Sequence, residues 1–519
     1  MLPRVLRCHR RHFSKSRLIT TNKSRLLLRN SVRCYSSLRP PFQTACSTST
    51  SSPTLPLPRL GAQYSSYSPN TGNFPRVTQS RMATATKIHL SPATDSGIYS
   101  FNVREDTART VSELLQEDLA IHHVFFNNER FHNHIPHELL TIYALGASPE
   151  EVKTCYDRNK RYQRPALPAN QDIVQSMHDV AKFKECSGKE ENYPHYLAFF
   201  QQEIDAKGVP EVLNEYLFAE DEQAESMMCR VFAGLIHPFI QLGFGIEFNQ
   251  PAIVAQGLAQ IAVHDDWLGR AYFLPAEKMA GGIGKPGKKS LFQLINEIRA
   301  DKTLVESVRW SDSNKIKDGV LHRAPEQMLK YASQFTVSKD QVHERLADMT
   351  NTVVYYTSAA QRPTKEMWLD FFLIHCVNSS IFFSKIIELP FMTQRSKLRM
   401  LEWKGRIELL MYTSRGTPDL LLDEVANYPP NDNWSRLFAR SIAHPDDDGH
   451  LAKLVRALAH GQKVCQVYER THPEMQIKGN MWLSVGNIAV DSTVEEGGRP
   501  MWVRSTGFDE AWESQRAHI

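Results

Sequence analysis

After residue 105, apolar residues recur at three- and four-residue spacing through almost the whole chain. That period commits a chain to helices that bury one stripe against one another. It predicts helices over 107–126, 133–145, 193–205, 221–239, 252–272, 339–360, 365–388, 396–412, 434–442 and 449–470. Alternating runs of strand length are scarce, the best being 488–490 and 501–504. The expected fold is mainly α: a large single helical domain with helices packed around an internal pocket and few short strands.

Charge divides the chain into a leader and a body. No acidic residue precedes Asp95, and residues 1–82 carry 14 of the 61 Lys and Arg. The remaining 47 basic residues face all 57 acidic ones, a net of −10. The body therefore has no bulk basic field to attract nucleic acid. Residues 1–40 are Arg- and Ser-rich and free of acids, the composition of a mitochondrial transit peptide, and Arg33-Cys34-Tyr35-Ser36 resembles a matrix-protease processing site. Residues 41–94 read as a disordered Ser/Thr/Pro-rich linker, and 95–519 as the helical domain. Translation from Met82 would instead give a cytoplasmic form. The five cysteines of the body form no C-x-x-C pair, which argues against a zinc ribbon and a disulfide framework. No apolar run is long enough for a bilayer, so no membrane partner is expected.

Several motifs fail on context. Gly282-Ile283-Gly284-Lys285-Pro286-Gly287 fits G-x-G-x-x-G, but no strand precedes it and no βαβ pattern surrounds it. His137-Glu138 and His343-Glu344 begin H-E-x-x-H strings whose second histidine is replaced by Thr141 and Ala347. No G-x-S-x-G elbow occurs.

The stretch 446–458 carries more information. Asp446, Asp447, Asp448 and Gly449 open a helix in which Leu451, Leu454, Val455 and Leu458 form one apolar stripe. His450 and Lys453, three apart, stand together beside that stripe. The pair fits a partly buried helix whose lysine stem reaches water, or ligands aimed into a bundle. Other histidines also sit among apolar neighbours: His134 and His137 at one helix start, then His237, His264 and His375. Each alone fits a hydrogen-bonded core histidine; together they point to a site. Neutral imidazoles suit iron, zinc or copper, and an all-nitrogen set leaves the metal charge uncompensated, so a nearby anion is expected.

Motifs across the body are similar to one family. They are Phe131-His132-Asn133-His134; Gly234-Leu235-Ile236-His237-Pro238-Phe239 with Gly243-Phe244-Gly245-Ile246-Glu247-Phe248; Leu401-Glu402-Trp403-Lys404-Gly405-Arg406 with Ser414-Arg415-Gly416-Thr417-Pro418; and Asp447-Asp448-Gly449-His450-Leu451-Ala452-Lys453. Over roughly residues 95 to 510 the chain resembles the fungal questin oxidase family, known also through Baeyer-Villiger-type oxidases of aflatoxin and xanthone pathways. The resemblance implies an oxidoreductase that uses O₂ to open a ring of a polycyclic aromatic polyketide such as an anthraquinone. It also implies NADPH for some members, and for others a mononuclear non-haem iron held by four histidines and a carboxylated lysine. Carried over, the ligands are His134, His237, His375, His450 and Lys453, the last two also catalytic. A carbamate on Lys453 would be the missing anion, provided the amine's pKa is lowered. Cys376-Val377-Asn378-Ser379-Ser380 departs from a Thr-bearing segment of the family. Lys404, Arg406 and Arg415 fit either phenolate and carboxylate binding or structural ion pairs. Competing readings are a metal-free NADPH-dependent oxidase, with His450 and Lys453 as acid and base, and a non-catalytic helical lipophile-binding protein.

Overall fold

A computed structural model describes residues 82–493, 501–513 and 515. The expected leader and residues 41–81 of the expected linker lie outside the described residues. The end of that linker is packed instead. Ala85, Ile88 and Leu90 are buried, and the Ile88 and Leu90 amides donate to Gln116 Oε1 and Ser112 Oγ, both at 2.9 Å. Packed residues therefore occur about ten positions before the expected boundary at 95.

The described residues form one compact unit, built from helices. Among the described residues three isolated bridges stand where a sheet would be. The strand expected at 488–490 is the end of the Met481–Asp491 helix, where Trp482, Val485, Ile488 and Ala489 fall at helical spacing and are buried. The strand expected at 501–504 reduces to one bridge, Val503 to Asp370.

Three helices are buried over every residue: Ile135–Ala144, His237–Glu247 and Leu373–Ser380. An α-helix that is apolar all round belongs inside a core. Around them pack Pro251–Val263, Val342–Ala359, Gln394–Ser414 and Leu451–Cys465. Gly257 lets the Pro251–Val263 helix lie directly on the backbone of Leu242, where a Cβ would stand 2.7 Å away. Arg456 on the Leu451–Cys465 helix forms a buried ion pair with Glu247, the last residue of His237–Glu247. It also donates from Nε to the Tyr99 carbonyl at 3.0 Å.

Periodicity overran three helices. The run expected over 221–239 breaks into Glu222–Met228 and a new helix that starts at His237. Between them Gly234, Leu235 and Ile236 all have positive φ (51°, 57° and 68°), one left-handed turn. The run expected over 252–272 stops at Val263, with His264 as its C-cap. The run expected over 365–388 begins only at Leu373. In each case apolar residues continue at helical spacing on both sides of the break, so the pattern does not record it.

Polar side chains explain where three of the central helices start. Asn133 Oδ1 accepts from the Ile135 amide at 2.9 Å. Asp370 Oδ1 accepts from Phe372 and Leu373 at 2.8 and 3.3 Å. Asp447 accepts from Gly449, His450, Leu451 and Ala452 at 2.8–3.1 Å, covering the otherwise unpaired donors of the first turn. Asp447→Ala is expected to cost about 2 kcal/mol in denaturant unfolding, the upper end for an N-cap. A loss below roughly 0.5 kcal/mol would show that this carboxylate does not define the helix start.

Candidate functional site

All five sequence-predicted ligands sit in the first turn of a central helix or at its N-cap, Lys453 as the third residue of Leu451–Cys465. His134 is the N-cap of Ile135–Ala144, His237 the first residue of its helix, His375 the third of Leu373–Ser380, and His450 the N-cap of Leu451–Cys465. The four N-terminal ends converge, and the rings meet between them. His134 Nε2 lies 3.0 Å from His237 Nε2, and His375 Nε2 lies 3.2 Å from His450 Nε2. Ring centroids are 4.6 Å apart for His134 and His450 and 4.9 Å for His237 and His375, which joins the pairs into one cluster.

The opposite edge of three of these rings is fixed. His237 Nδ1 donates to the Gly234 carbonyl at 2.8 Å, His375 Nδ1 to the Phe371 carbonyl at 2.7 Å, and His450 Nδ1 to Asp448 Oδ1 at 2.6 Å. These bonds assign the proton to Nδ1 and leave Nε2 as the inward-facing lone pair. The left-handed turn at 234–236 aims the Gly234 carbonyl at His237. Gly234 also abuts the His264 ring, where a Cβ would collide with Nε2.

Burial, then the neighbouring cationic groups, holds His134, His237 and His375 well below the usual imidazole range. With Nδ1 of both rings engaged outward, the Nε2 atoms of His375 and His450 face one another at 3.2 Å, a contact that a shared proton or cation relieves. Ligand atoms of His134, His237 and His450 lie within 4.8 Å of one another. Two imidazoles bound at right angles to one metal at ~2.1 Å stand about 3 Å apart, which matches both close pairs. The donor set therefore fits a transition-metal ion. It supplies no negative charge of its own.

Lys453 follows His450 by one turn and is buried, with Nζ 3.5 Å from His137 Nδ1. Burial lowers the amine to about 8, against the pull of Asp448, Asp447 and Glu138. An inward lysine that is largely an ammonium in water becomes partly a free amine here.

Three histidines beyond the expected ligand set join the cluster. His137 faces Lys453. His132 and His264 form a further pair, Nε2 to Nε2 at 3.1 Å, and the His132 ring stacks on His237 at 4.4 Å with planes 4° apart. The signal was the density of 132–137, with histidines at 132, 134 and 137. The chain there is too irregular for a period to single out His132.

The cluster opens on a cavity of about 730 Å³ lined by His132, His134, His237 and His450 and by Phe371 and Trp502. A second lobe of about 710 Å³ adjoins it. Arg130, Gly234, Leu235, Phe372 and Arg504 line both. Each lobe has the size and apolar wall of a small-molecule site.

Of the three candidate anion binders, two are structural. Lys404 is fully buried in an ion pair with Glu408, and Arg406 pairs with Glu402 at 2.8 Å. Arg415 lines the second lobe and stacks over Phe372, 4.1 Å from the ring centre.

Comparison with known proteins agrees with the motifs. The family model for questin oxidase-like proteins matches residues 131–458. A Baeyer-Villiger oxidase of Pestalotiopsis fici is 37% identical over 438 residues, 83% of this chain and 98% of that protein. A questin oxidase of Aspergillus terreus is 36% identical over the same shares. A Baeyer-Villiger monooxygenase of a Cryptosporiopsis species is 36% identical over 440 residues, again 83% and 98%.

A pH dependence follows from the buried imidazoles. His132, His134, His137, His237, His264 and His375 are all held below their usual range, His264 at about 4. Below about 6.5 the unfolded chain takes up protons that the folded chain does not, so stability is full above that pH and falls as pH drops. For His264 the loss runs down to about 4. Burial raises Glu138 to about 8, Asp348 to about 6, and Asp118, Asp370 and Glu402 above the usual carboxyl range. These five act in the opposite sense, against the six imidazoles and His123, His195 and His460, which are lowered likewise. The urea midpoint of metal-free protein should therefore fall between pH 7 and pH 5. A flat or rising profile would show that these rings are charged in the folded state.

Proposed function

Because the chain belongs to the questin oxidase-like family, we propose that it is an oxygenase that opens a ring of a polycyclic aromatic polyketide of the anthraquinone kind. In this reading the centre is a mononuclear non-haem iron held by His134, His237, His375, His450 and Lys453. The observation that carries it is the meeting of four helix N-termini, four inward imidazoles and a buried lysine at the wall of an aromatic-lined cavity. Two named relatives, a Baeyer-Villiger oxidase and a questin oxidase, support oxygen insertion as the reaction and questin-like aromatics as the substrate class.

The chemistry supplied by reduced iron at such a site is electron transfer to dioxygen. Everything else falls to the chain's own residues. Lys453 Nζ, as the free amine, adds to carbon dioxide and loses a proton, giving a carbamate that brings an anionic oxygen into an all-nitrogen set. Asp448 holds the Nδ1 proton of His450 and keeps that ring's orientation. Phe371 lies 5.0 Å from the His375 ring and 5.1 Å from the His450 ring, and offers a face on which a planar substrate stacks beside the centre. The cavity's aromatic wall excludes water from the reacting bond. The N-terminal helix ends stabilise negative charge as it develops on oxygen.

The bond broken is that between a ring carbon and the adjoining quinone carbonyl carbon, with dioxygen as oxidant. If one oxygen atom is inserted, the other leaves as water and a hydride donor such as NADPH must supply two electrons. If both are retained, no reductant is consumed. Product mass after reaction with isotopically heavy dioxygen separates these routes.

Metal content by plasma mass spectrometry of the full chain, purified without chelators, tests the centre. About one iron per chain is expected, falling at least tenfold in His450→Ala. Absence of iron from the wild type after anaerobic reconstitution would overturn the iron reading.

A further inference from the structure

The second lobe carries positive charge that the centre does not use. Arg415 is 5% exposed. Its hydrogen bonds go to hydroxyls: Nε to Ser414 Oγ at 3.2 Å and Nη1 to Ser505 Oγ at 3.3 Å. The nearest acid that influences it, Asp370, spends its oxygens on the Phe372, Leu373 and Thr506 amides. Lys315, 9% exposed, lines the same lobe and donates to the carbonyls of Arg309, Trp310 and Asp312. Asp312, the acid beside it, is held by both terminal nitrogens of Arg323, at 2.6 and 2.7 Å. Among the described residues, neither Arg415 nor Lys315 has a carboxylate within ion-pair distance. Each repels the other, and the lobe's own carboxylates, Glu129 and Asp265, are exposed residues. Two desolvated like charges facing one cavity are costly unless an anion joins them.

We propose that this second lobe is an anion subsite, in which Arg415 donates to, and the charge of Lys315 attracts, a carboxylate or phenolate borne by an aromatic ligand whose rings occupy the lobe at the histidine cluster. The inference rests on the reading of that first lobe as an aromatic site. Phe372 and Arg504 line both lobes, so one elongated ligand can span them. Arg415 stacks on Phe372 and Arg504 on Phe371, so cations stand over both rings of the aromatic wall. Arg415 is also the C-cap of the Gln394–Ser414 helix, a position that favours a cation whatever the lobe binds. The test must therefore read ligand charge and not stability.

Binding of anthraquinone-2-carboxylate and of its neutral carboxamide to the full chain provides that reading. The wild type is expected to prefer the carboxylate roughly tenfold or more, the scale of a charge-assisted contact. Arg415→Gln should bring the preference to within about twofold, with carboxylate affinity falling more than carboxamide affinity. Should Arg415→Gln fail to fold, Lys315→Met on the same lobe decides, with an expected drop of at least about threefold. Equal affinity of the wild type for the two ligands, or an unaltered preference in a folded variant, overturns the anion subsite and leaves the aromatic reading standing. Failure of both ligands to bind overturns the two together. Displacement of the carboxamide by NADP⁺ in the wild type, lost in Arg415→Gln, would assign the lobe to a nucleotide phosphate and overturn the proposal.

Discussion

Everything around the histidine cluster follows from four helices being made to end at one place. Each N-terminus carries about half a positive charge on its unpaired amides, and four of them meet where His134, His237, His375 and His450 meet. Such a field disfavours any further cation. It fits the His134, His237 and His375 imidazoles held neutral by burial and the capping of two of the helix ends by carboxylates, Asp370 and Asp447. It also favours negative charge beside the cluster, where Asp448 already bonds to His450. The Arg456–Glu247 ion pair binds the helix after His450 to the far end of the His237 helix, so the convergence is braced from behind.

The fold class was legible because three- and four-residue spacing persists through the body. The boundaries that matter most were not. Periodicity ran straight through 234–236, 264 and 365–372, and these breaks place His237, His264 and His375 at helix ends. An apolar pattern reports which side of a segment is buried, and both flanks of each break are buried. The clues are local and weak: Asp370 two residues before Phe372, and Gly234 before an Ile-His-Pro sequence. The Asp447 start was readable because three acids and a glycine announce it. The His132–His264 pair joins residues 132 positions apart, and no spacing rule reaches that far.

Charge was legible only as composition. Lys404, Arg406 and Arg415 lie on one stretch and look alike in sequence, yet they divide by what stands one helical turn away. Lys404 and Arg406 each meet a glutamate on their own helix, Glu408 and Glu402, inside the core. Arg415 follows the helix's last residue, has no such neighbour, and its guanidinium borders a cavity. A buried pair of this kind secures packing around it, whereas a buried cation flanked by hydroxyls keeps its charge for something else.

The left-handed turn at 234–236 sets a limit on how robust this protein can become. Leu235 and Ile236 hold a backbone conformation that costs an L-residue roughly 1–2 kcal/mol each, and Ile236, branched at Cβ, suits it badly. A chain drifting toward greater thermal endurance would be rewarded for unwinding those residues into the helix that follows. Doing so would swing the Gly234 carbonyl away from His237 and free that ring to rotate. Durability and function therefore pull in opposite directions at three consecutive residues, and thermally hardened variants should be sought elsewhere in the body.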